Sequence, residues 1–385
     1  MTQNDPEVRI PNRLKDITAF IVMDVLEKAH EMERRGVNVI HLEVGEPDFD
    51  TPQCVKEAVC KALQNGHTHY THSLGMIELR EAVAEHYADT YGVSVDPGQV
   101  VITSGTSPAM FTLCSVLLER GDQIIVSDPH YACYPNFVRF VEGELVYVRV
   151  LEEDGFQYRT EAIREKLTDK TQAVLINSPS NPTGNLLSED RMKAIAELGP
   201  YVVSDEIYHG LVYEGKEHSI LEFTDHAFVL NGFSKAFAMT GLRLGYMIAP
   251  KPFMRTIQKI QQNFFISPNS AVQMGGIAAL REGGEDVKTM RRIYDERRRF
   301  MIRRLKEMGL GITVEPTGAF YVFANMKHVS LDSYKLAFDI LEKAHVGVTP
   351  GIDFGDGGEG YIRFSYANSM ENIAEGLDRL QTYLS

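Results

Sequence analysis

The sequence predicts an α/β protein, with a mostly parallel central sheet in a large lobe and a smaller α+β lobe beside it. Three observations carry this reading. Short apolar, β-branched runs alternate with amphipathic helical patterns through the middle of the chain. Three polar residues that stand out, Asn181, Asp205 and Lys235, each follow one of those runs. The length, 385 residues, exceeds what one core normally organises.

Taken in order, the runs at Val100–Thr103, 123–126, 173–176, 201–204, 228–231 and Gly245–Ile248 are apolar at successive positions, as strands covered by helices on both faces must be. Ligands of such sheets collect beyond the carboxyl ends of the strands, where the three polar residues fall. From 285 to 309 a long charged helical pattern ends at glycine. Beyond it, strand candidates at 320–323 and 361–366 flank a helix at Ser333–Ala344, and these form the smaller α+β lobe. No internal period and no low-complexity tract interrupts the chain.

Composition narrows the classes of function. Hydrophobic residues make up 44%, and 39 basic against 53 acidic side chains leave a net charge of −14, which argues against nucleic-acid or anionic-membrane partners. The basic series Arg291, Arg292, Arg297, Arg298, Arg299, Arg303 and Arg304 is interleaved with Glu and apolar residues and reads as a solvated helix face. Residues 1–7 have neither the basic lead nor the apolar core of a secretory signal, and no apolar run reaches membrane-spanning length. Cys54, Cys60, Cys114 and Cys133 match no zinc-site spacing, so a cytoplasmic protein with buried thiols is expected.

The chemistry is concentrated between Gly232 and Gly245. Lys235 sits beside Phe233, Ala236, Phe237 and Met239, surroundings that disfavour an ammonium, lower its pKa and free the amine as a nucleophile toward carbonyls. Arg243 supplies a permanent fork of donors for a phosphate, and Gly232, Gly241 and Gly245 allow backbone to approach a bulky group. A phosphate-bearing aldehyde, pyridoxal 5'-phosphate (PLP), suits both ends. Asp205, with Tyr208 three residues on, places a carboxylate at a strand end. Ser104-Gly105-Thr106-Ser107-Pro108 lies between a strand and a helical pattern beginning at Ala109, a cradle for an anion at a helix N-terminus. Arg363 is a lone cation in an apolar strand-like run and calls for an anion.

Three other signals are discounted. Residues 355–360 fit G-x-G-x-x-G but carry two acids and lead into a strand, which makes them a loop. His67, His69 and His72 have an alternating spacing followed by turn residues, and no metal is assigned to them. Residues 283–286 mark a helix start.

The segment around Lys235 resembles the attachment pattern of the class I/II aminotransferases of PLP fold type I, and particularly their bacterial aspartate aminotransferase-like branch. The resemblance runs nearly end to end, from about Arg13 to His30 through Val44-Gly45-Glu46-Pro47-Asp48-Phe49 and Ser178-Pro179-Ser180-Asn181-Pro182-Thr183-Gly184 to Arg363-Phe364-Ser365-Tyr366-Ala367. It implies a large PLP-binding domain at 46–287 and a discontinuous small domain at 1–45 and 288–385. It implies that Lys235 is tether and base, that Asp205 pairs with the pyridine nitrogen, and that Tyr208 and Asn181 hold the phenolic oxygen. Tyr131 takes the place of a stacking Trp. Gly105, Thr106, Ser107, Ser234 and Arg243 surround the phosphate, with Tyr70 reaching it from the neighbouring subunit of a homodimer with shared active sites. Arg363, with Gly45 and Asn181, receives the substrate α-carboxylate, and Asn181-Pro182 is cis.

The implied reaction is ping-pong transfer of an amino group between an L-amino acid and a 2-oxo acid. Two departures stand out. Gly232 occupies a position where the animal aspartate enzymes have Ser, as in some bacterial relatives. Ser107 occupies the place where a lysine of the bacterial aspartate enzymes receives the distal carboxylate, which points to a broader or neutral donor, alanine or an aromatic amino acid, with 2-oxoglutarate as acceptor. A C–S or β-lyase, or a ring-closing synthase, would share nearly all these residues. A non-catalytic PLP-binding regulator would need an N-terminal DNA-binding domain, for which the residues before Arg13 leave no room.

Overall fold

Side-chain alternation along the strands builds the large lobe. A computed structural model describes residues 11–385, and the reading of residues 1–7 therefore lies outside the described residues. The strands are β1 (Ile40–His41), β2 (Val100–Thr103), β3 (Gln123–Asp128), β4 (Glu144–Arg149), β5 (Thr171–Asn177), β6 (Tyr201–Asp205), β7 (Ala227–Gly232), β8 (Gly245–Ile248), β9 (Tyr321–Asn325), β10 (Val346–Gly347), β11 (Thr349–Pro350) and β12 (Tyr361–Ser365). Seven of them form one sheet in the order β2-β8-β7-β6-β5-β3-β4. Within it β8 runs antiparallel to both neighbours and the other pairs are parallel. Along β5, Ala173 and Leu175 enter the apolar cluster on one face, while Val174 and Ile176 enter the cluster on the other. This is the two-residue period of a sheet covered on both sides.

Every strand expected in this lobe is present, and β4 is an addition. It is an edge strand whose Glu144 and Arg149 are exposed, so it lacks the two-faced apolar pattern that marks the inner strands. The main helices are α1 (Ile21–Arg34), α2 (Gln53–Gln64), α3 (Ile77–Tyr91), α4 (Thr106–Leu117), α5 (Tyr134–Phe140), α6 (Ser270–Glu282), α7 (Gly284–Glu307), α8 (Ser333–Ala344) and α9 (Met370–Leu384).

A third apolar core gathers Met301 of α7, Phe320, Phe364 of β12 and Leu377 of α9, together with Ile40 and Leu42 from the N-terminal side. The antiparallel strands β11-β12-β9 cross it, and β1 pairs in parallel with β10. Ile207, Tyr208 and Leu211, from the turn after β6, enter this same core and fix the large sheet against it. Among the described residues, no helix is long and apolar enough to cross a membrane.

Two readings need correction. The basic series on α7 is solvated only in part. Arg297 bonds Asp48, and the wholly buried Arg298 bonds Glu214, Asp295 and the Pro316 carbonyl. Asp48 and Glu214 come from distant parts of the chain and Asp295 from one turn earlier on α7, and pairing with them is what makes burial of the two cations tolerable. Nor are the thiols uniformly buried: Cys114 is, Cys54 and Cys133 are partly so, and Cys60 is exposed on the outer face of α2.

Candidate active site

Three neighbouring parallel strands deliver the polar residues to one sheet edge. Asn177 at the end of β5 lies level with Asp205 at the end of β6, and Asp205 lies level with Leu230 of β7, whose chain continues to Lys235. The Asn177 side chain joins the first two, donating to the Asp205 carbonyl at 3.0 Å and accepting the Asn181 N–H at 2.8 Å. Asn181-Pro182 is cis, as are Asp128-Pro129 and Ser178-Pro179.

Lys235 is partly buried, and its Nζ donates to the Gly45 carbonyl at 2.5 Å, with the Phe320 ring 5.7 Å away. Among the described residues it has no ion-pair partner. Burial lowers its pKa from 10.5 to about 8, with Glu46 pulling the other way and the cations of Arg363 and Arg243 reinforcing the fall. The folded protein therefore releases this proton before the unfolded chain does. Between about pH 8 and 10.5 the unfolded state binds more protons, so the protein without a carbonyl ligand gains stability as pH rises through that window. Denaturant midpoints at the two ends of the window should show this gain in the wild type and a smaller one in Lys235→Ala.

Asp205 is buried and accepts the Tyr134 hydroxyl at 2.6 Å and the Ile207 N–H at 3.2 Å. Burial pushes its carboxyl up to about 6, and those two donors oppose the rise, which leaves it mainly ionised at neutral pH. Its neighbour Glu206 faces elsewhere, into donors from Tyr87, Ser204, Ser219 and the Ile220 N–H. Tyr208 is buried and shares a 2.8 Å hydrogen bond with the Tyr321 hydroxyl. Tyr131 packs edge-on against Tyr134 at 5.3 Å and against Phe20 at 6.0 Å.

The anion cradle differs in detail from the sequence reading. α4 begins at Thr106 rather than Ala109, because Pro108 falls in the first turn, where a missing N–H costs no helical hydrogen bond. Arg243 is exposed and donates to the Thr240 carbonyl at 2.9 Å. A Cβ at residue 105 would stand 2.5 Å from Arg243 Nη2, and φ there is +93°, so glycine is what lets the guanidinium lie against the helix N-terminus. Ser234 is buried nearby in sequence, while Ser107 is exposed and Tyr70 stands out at 81% exposure.

Arg363 is the other enclosed cation. It is 2% exposed and lies over the rings of Tyr321, at 4.3 Å, and Phe354, at 5.0 Å. Its partners are all neutral: Asn181 Oδ1 at 2.8 Å, the Glu43 carbonyl at 2.7 Å and Thr349 Oγ1 at 3.1 Å. Nε has no hydrogen-bond partner. A Cβ at Gly45 would come within 2.7 Å of Tyr321 Oη and 3.8 Å of Arg363 Nη2, so glycine there keeps the space before the guanidinium open.

The structure thus brings together Lys235, Asp205, Tyr208, Asn181, Gly45 and Arg363, places Arg243 against Gly105, and leaves Tyr70 and Ser107 on the surface of the single chain. Sequence reasoning missed Tyr134, Tyr321, Thr349 and the Glu43 carbonyl. Only the three-residue spacing of Tyr134 from Tyr131 hinted at any of them. The donor set fits a group bearing an aldehyde, a basic ring nitrogen and a phosphate: an amine with a depressed pKa, a buried carboxylate, and an exposed guanidinium at a helix N-terminus. The orphaned Nε of Arg363 suits a second anion.

Comparison with known proteins agrees with this chemistry. Residues 37–380 match the family described as aminotransferase class I and II. A (5-formylfuran-3-yl)methyl phosphate transaminase from Methanocaldococcus jannaschii is 41% identical over 380 residues, 98% of this chain and 100% of that protein. An aspartate/prephenate aminotransferase from Thermus thermophilus is 38% identical, covering 97% and 98%. A Methanococcus jannaschii crystal structure, described as similar in its active site to kynurenine aminotransferases, superposes with a TM-score of 0.92 at 41% identity, covering 98% and 100%.

Proposed function

From the premise that this chain belongs to the class I and II aminotransferases, a PLP-using family, and is a transaminase, we propose that Lys235 is the attachment lysine and that Arg363 holds the substrate carboxylate. The observation that carries the proposal is a pair of enclosed cations without acid partners among the described residues, Lys235 on the Gly45 carbonyl and Arg363 on the Glu43 carbonyl. One awaits a carbonyl and the other an anion.

In this reading Gly105, Thr106, Ser107, Ser234 and Arg243 hold the cofactor phosphate, Asp205 the ring nitrogen, Tyr208 and Asn181 the phenolic oxygen, and Tyr131 the ring face. Bound there, PLP supplies the electron sink for charge developing at the substrate Cα. Asp205, kept ionised by Tyr134 and Ile207, holds a proton on that nitrogen. Lys235, its pKa lowered by burial to about 8, takes the Cα proton and returns it. Arg363 fixes the carboxylate so that the reacting bond faces the lysine. The large unit at 46–287 carries the cofactor, and the small unit of 1–45 with 288–385 carries Arg363. Tyr70, exposed on one chain, serves the phosphate of its partner in a homodimer, and four free thiols suit a cytoplasmic enzyme.

For the donor, the uncharged Ser107 favours a neutral or aromatic side chain over aspartate, with 2-oxoglutarate as acceptor. A cation lost opposite a carboxylate costs about 1.5–3 kcal/mol, or ~10–100-fold in kcat/KM. Steady-state rates with aspartate, alanine and phenylalanine should rank aspartate below the best neutral donor. An aspartate optimum overturns the donor assignment, and pyruvate with ammonia formed in the absence of any 2-oxo acid overturns transamination as the main reaction.

A further inference from the structure

Outside this site, one group of ligating side chains has no part in the reaction. His30 and Glu33 lie one turn apart on α1, and His41 stands on β1 just after it. One ligating atom from each can be chosen so that all three lie within 4.8 Å of one another. His41 Nε2 is 3.2 Å from Glu33 Oε1, and the two imidazole centroids are 5.8 Å apart.

A second feature stands behind them. Glu43, two residues beyond His41 and past the end of β1, is wholly buried, and its Oε1 lies 2.6 Å from His41 Nδ1. Its charge is paired with His41, and the other of its two oxygens, Oε2, remains without a hydrogen bond. A metal-ligating histidine commonly gives its second N–H to such a carboxylate, which fixes the tautomer and strengthens the donor. Here Nδ1 is committed to Glu43 and Nε2 is turned toward Glu33, while His30 and Glu33 are open to solvent.

Two imidazole nitrogens and one carboxylate oxygen with an open side are the three-ligand set of a borderline first-row divalent ion, with water as the fourth ligand. We propose that His30, Glu33 and His41 form a Zn²⁺-binding site in which Glu43 orients His41. Donors about 2.0–2.2 Å from the ion must draw closer together than they now stand, which the exposed side chains on α1 can do by changing rotamer. An ion there would brace α1 to β1, next to the residue whose carbonyl holds Arg363.

The test uses holoenzyme stripped with a chelator and dialysed against Zn²⁺ without substrate at about pH 9, since a proton is the rival for Nε2 and the carboxylates of Glu43 and Glu33 raise the His41 pKa to about 9. One ion per chain is expected. His30→Ala and Glu33→Gln, both at exposed positions, should each weaken binding by about tenfold or more, and Glu43→Gln by ~10–100-fold. Wild type that retains no more zinc than the His30→Ala, Glu33→Gln double variant overturns the proposal. So does zinc that survives both changes and is lost in Cys60→Ser.

Discussion

Lys235→Ala is expected to lower kcat by ~10⁴-fold or more, because in the proposed reading one side chain supplies both the nucleophile and the proton carrier, and each role alone is worth several powers of ten. The fold should survive. The amine makes one hydrogen bond, to the Gly45 carbonyl, worth about 1 kcal/mol, and its removal also relieves the burial of a group whose pKa burial depresses. Borohydride reduction of the wild-type holoenzyme followed by peptide mapping should place the label on residue 235. The variant should give none there, although phosphate contacts can still retain the cofactor. Label on another lysine, or kcat within tenfold of wild type, would remove the attachment assignment and the mechanism with it.

Asp205→Ala should cost ~10³-fold in kcat, comparable to deleting one preorganised electrostatic partner of a developing charge. The carboxylate is buried, held by Tyr134 and Ile207, and ionised at neutral pH with a pKa raised to about 6. Its loss also strands the buried Tyr134 hydroxyl. Asp205→Asn separates these effects, since the amide oxygen still accepts from Tyr134 while the charge is gone: it should be nearly as inactive as alanine but closer to wild type in thermal stability. The sign of the pH dependence follows. Activity that requires the ionised carboxylate falls as pH drops through its pKa, and because a protonated ring nitrogen beside it holds that pKa below the value of about 6 in the empty site, the acid limb of kcat/KM should lie below pH 6. An Asn variant with activity within tenfold of wild type would show that the charge is not what matters.

Much of this was legible in the sequence because it rests on local conflicts. A lysine among Phe and Ala, and an arginine within an apolar strand, each break the rule that charges stay wet, so the chain announces them without any knowledge of the fold. Inner strands were legible because both faces are apolar, while β4 was not, since an edge strand carries polar residues. What could not be read depends on long-range meetings. Tyr134 reaches Asp205 across 71 residues of chain, and Tyr321 reaches Tyr208 across 113. Arg297 and Arg298 look solvated in helical projection until Asp48 and Glu214 arrive from elsewhere. The start of α4 lies three residues before the helical pattern that begins at Ala109, since proline is tolerated in a first turn.

The neutral surroundings of Arg363 carry a cost in resilience. Carbonyl, amide and hydroxyl dipoles can solvate a guanidinium, yet none cancels its charge, so the resting enzyme tolerates an electrostatic frustration at the heart of its smaller lobe. Arg363→Leu would remove that charge but also take the donor from Asn181 Oδ1, the Glu43 carbonyl and Thr349 Oγ1, so no gain in stability is expected from it. Under the proposed assignment a small carboxylate does more than occupy a subsite: it supplies the missing opposite charge, and the denaturant midpoint is expected to rise when it binds.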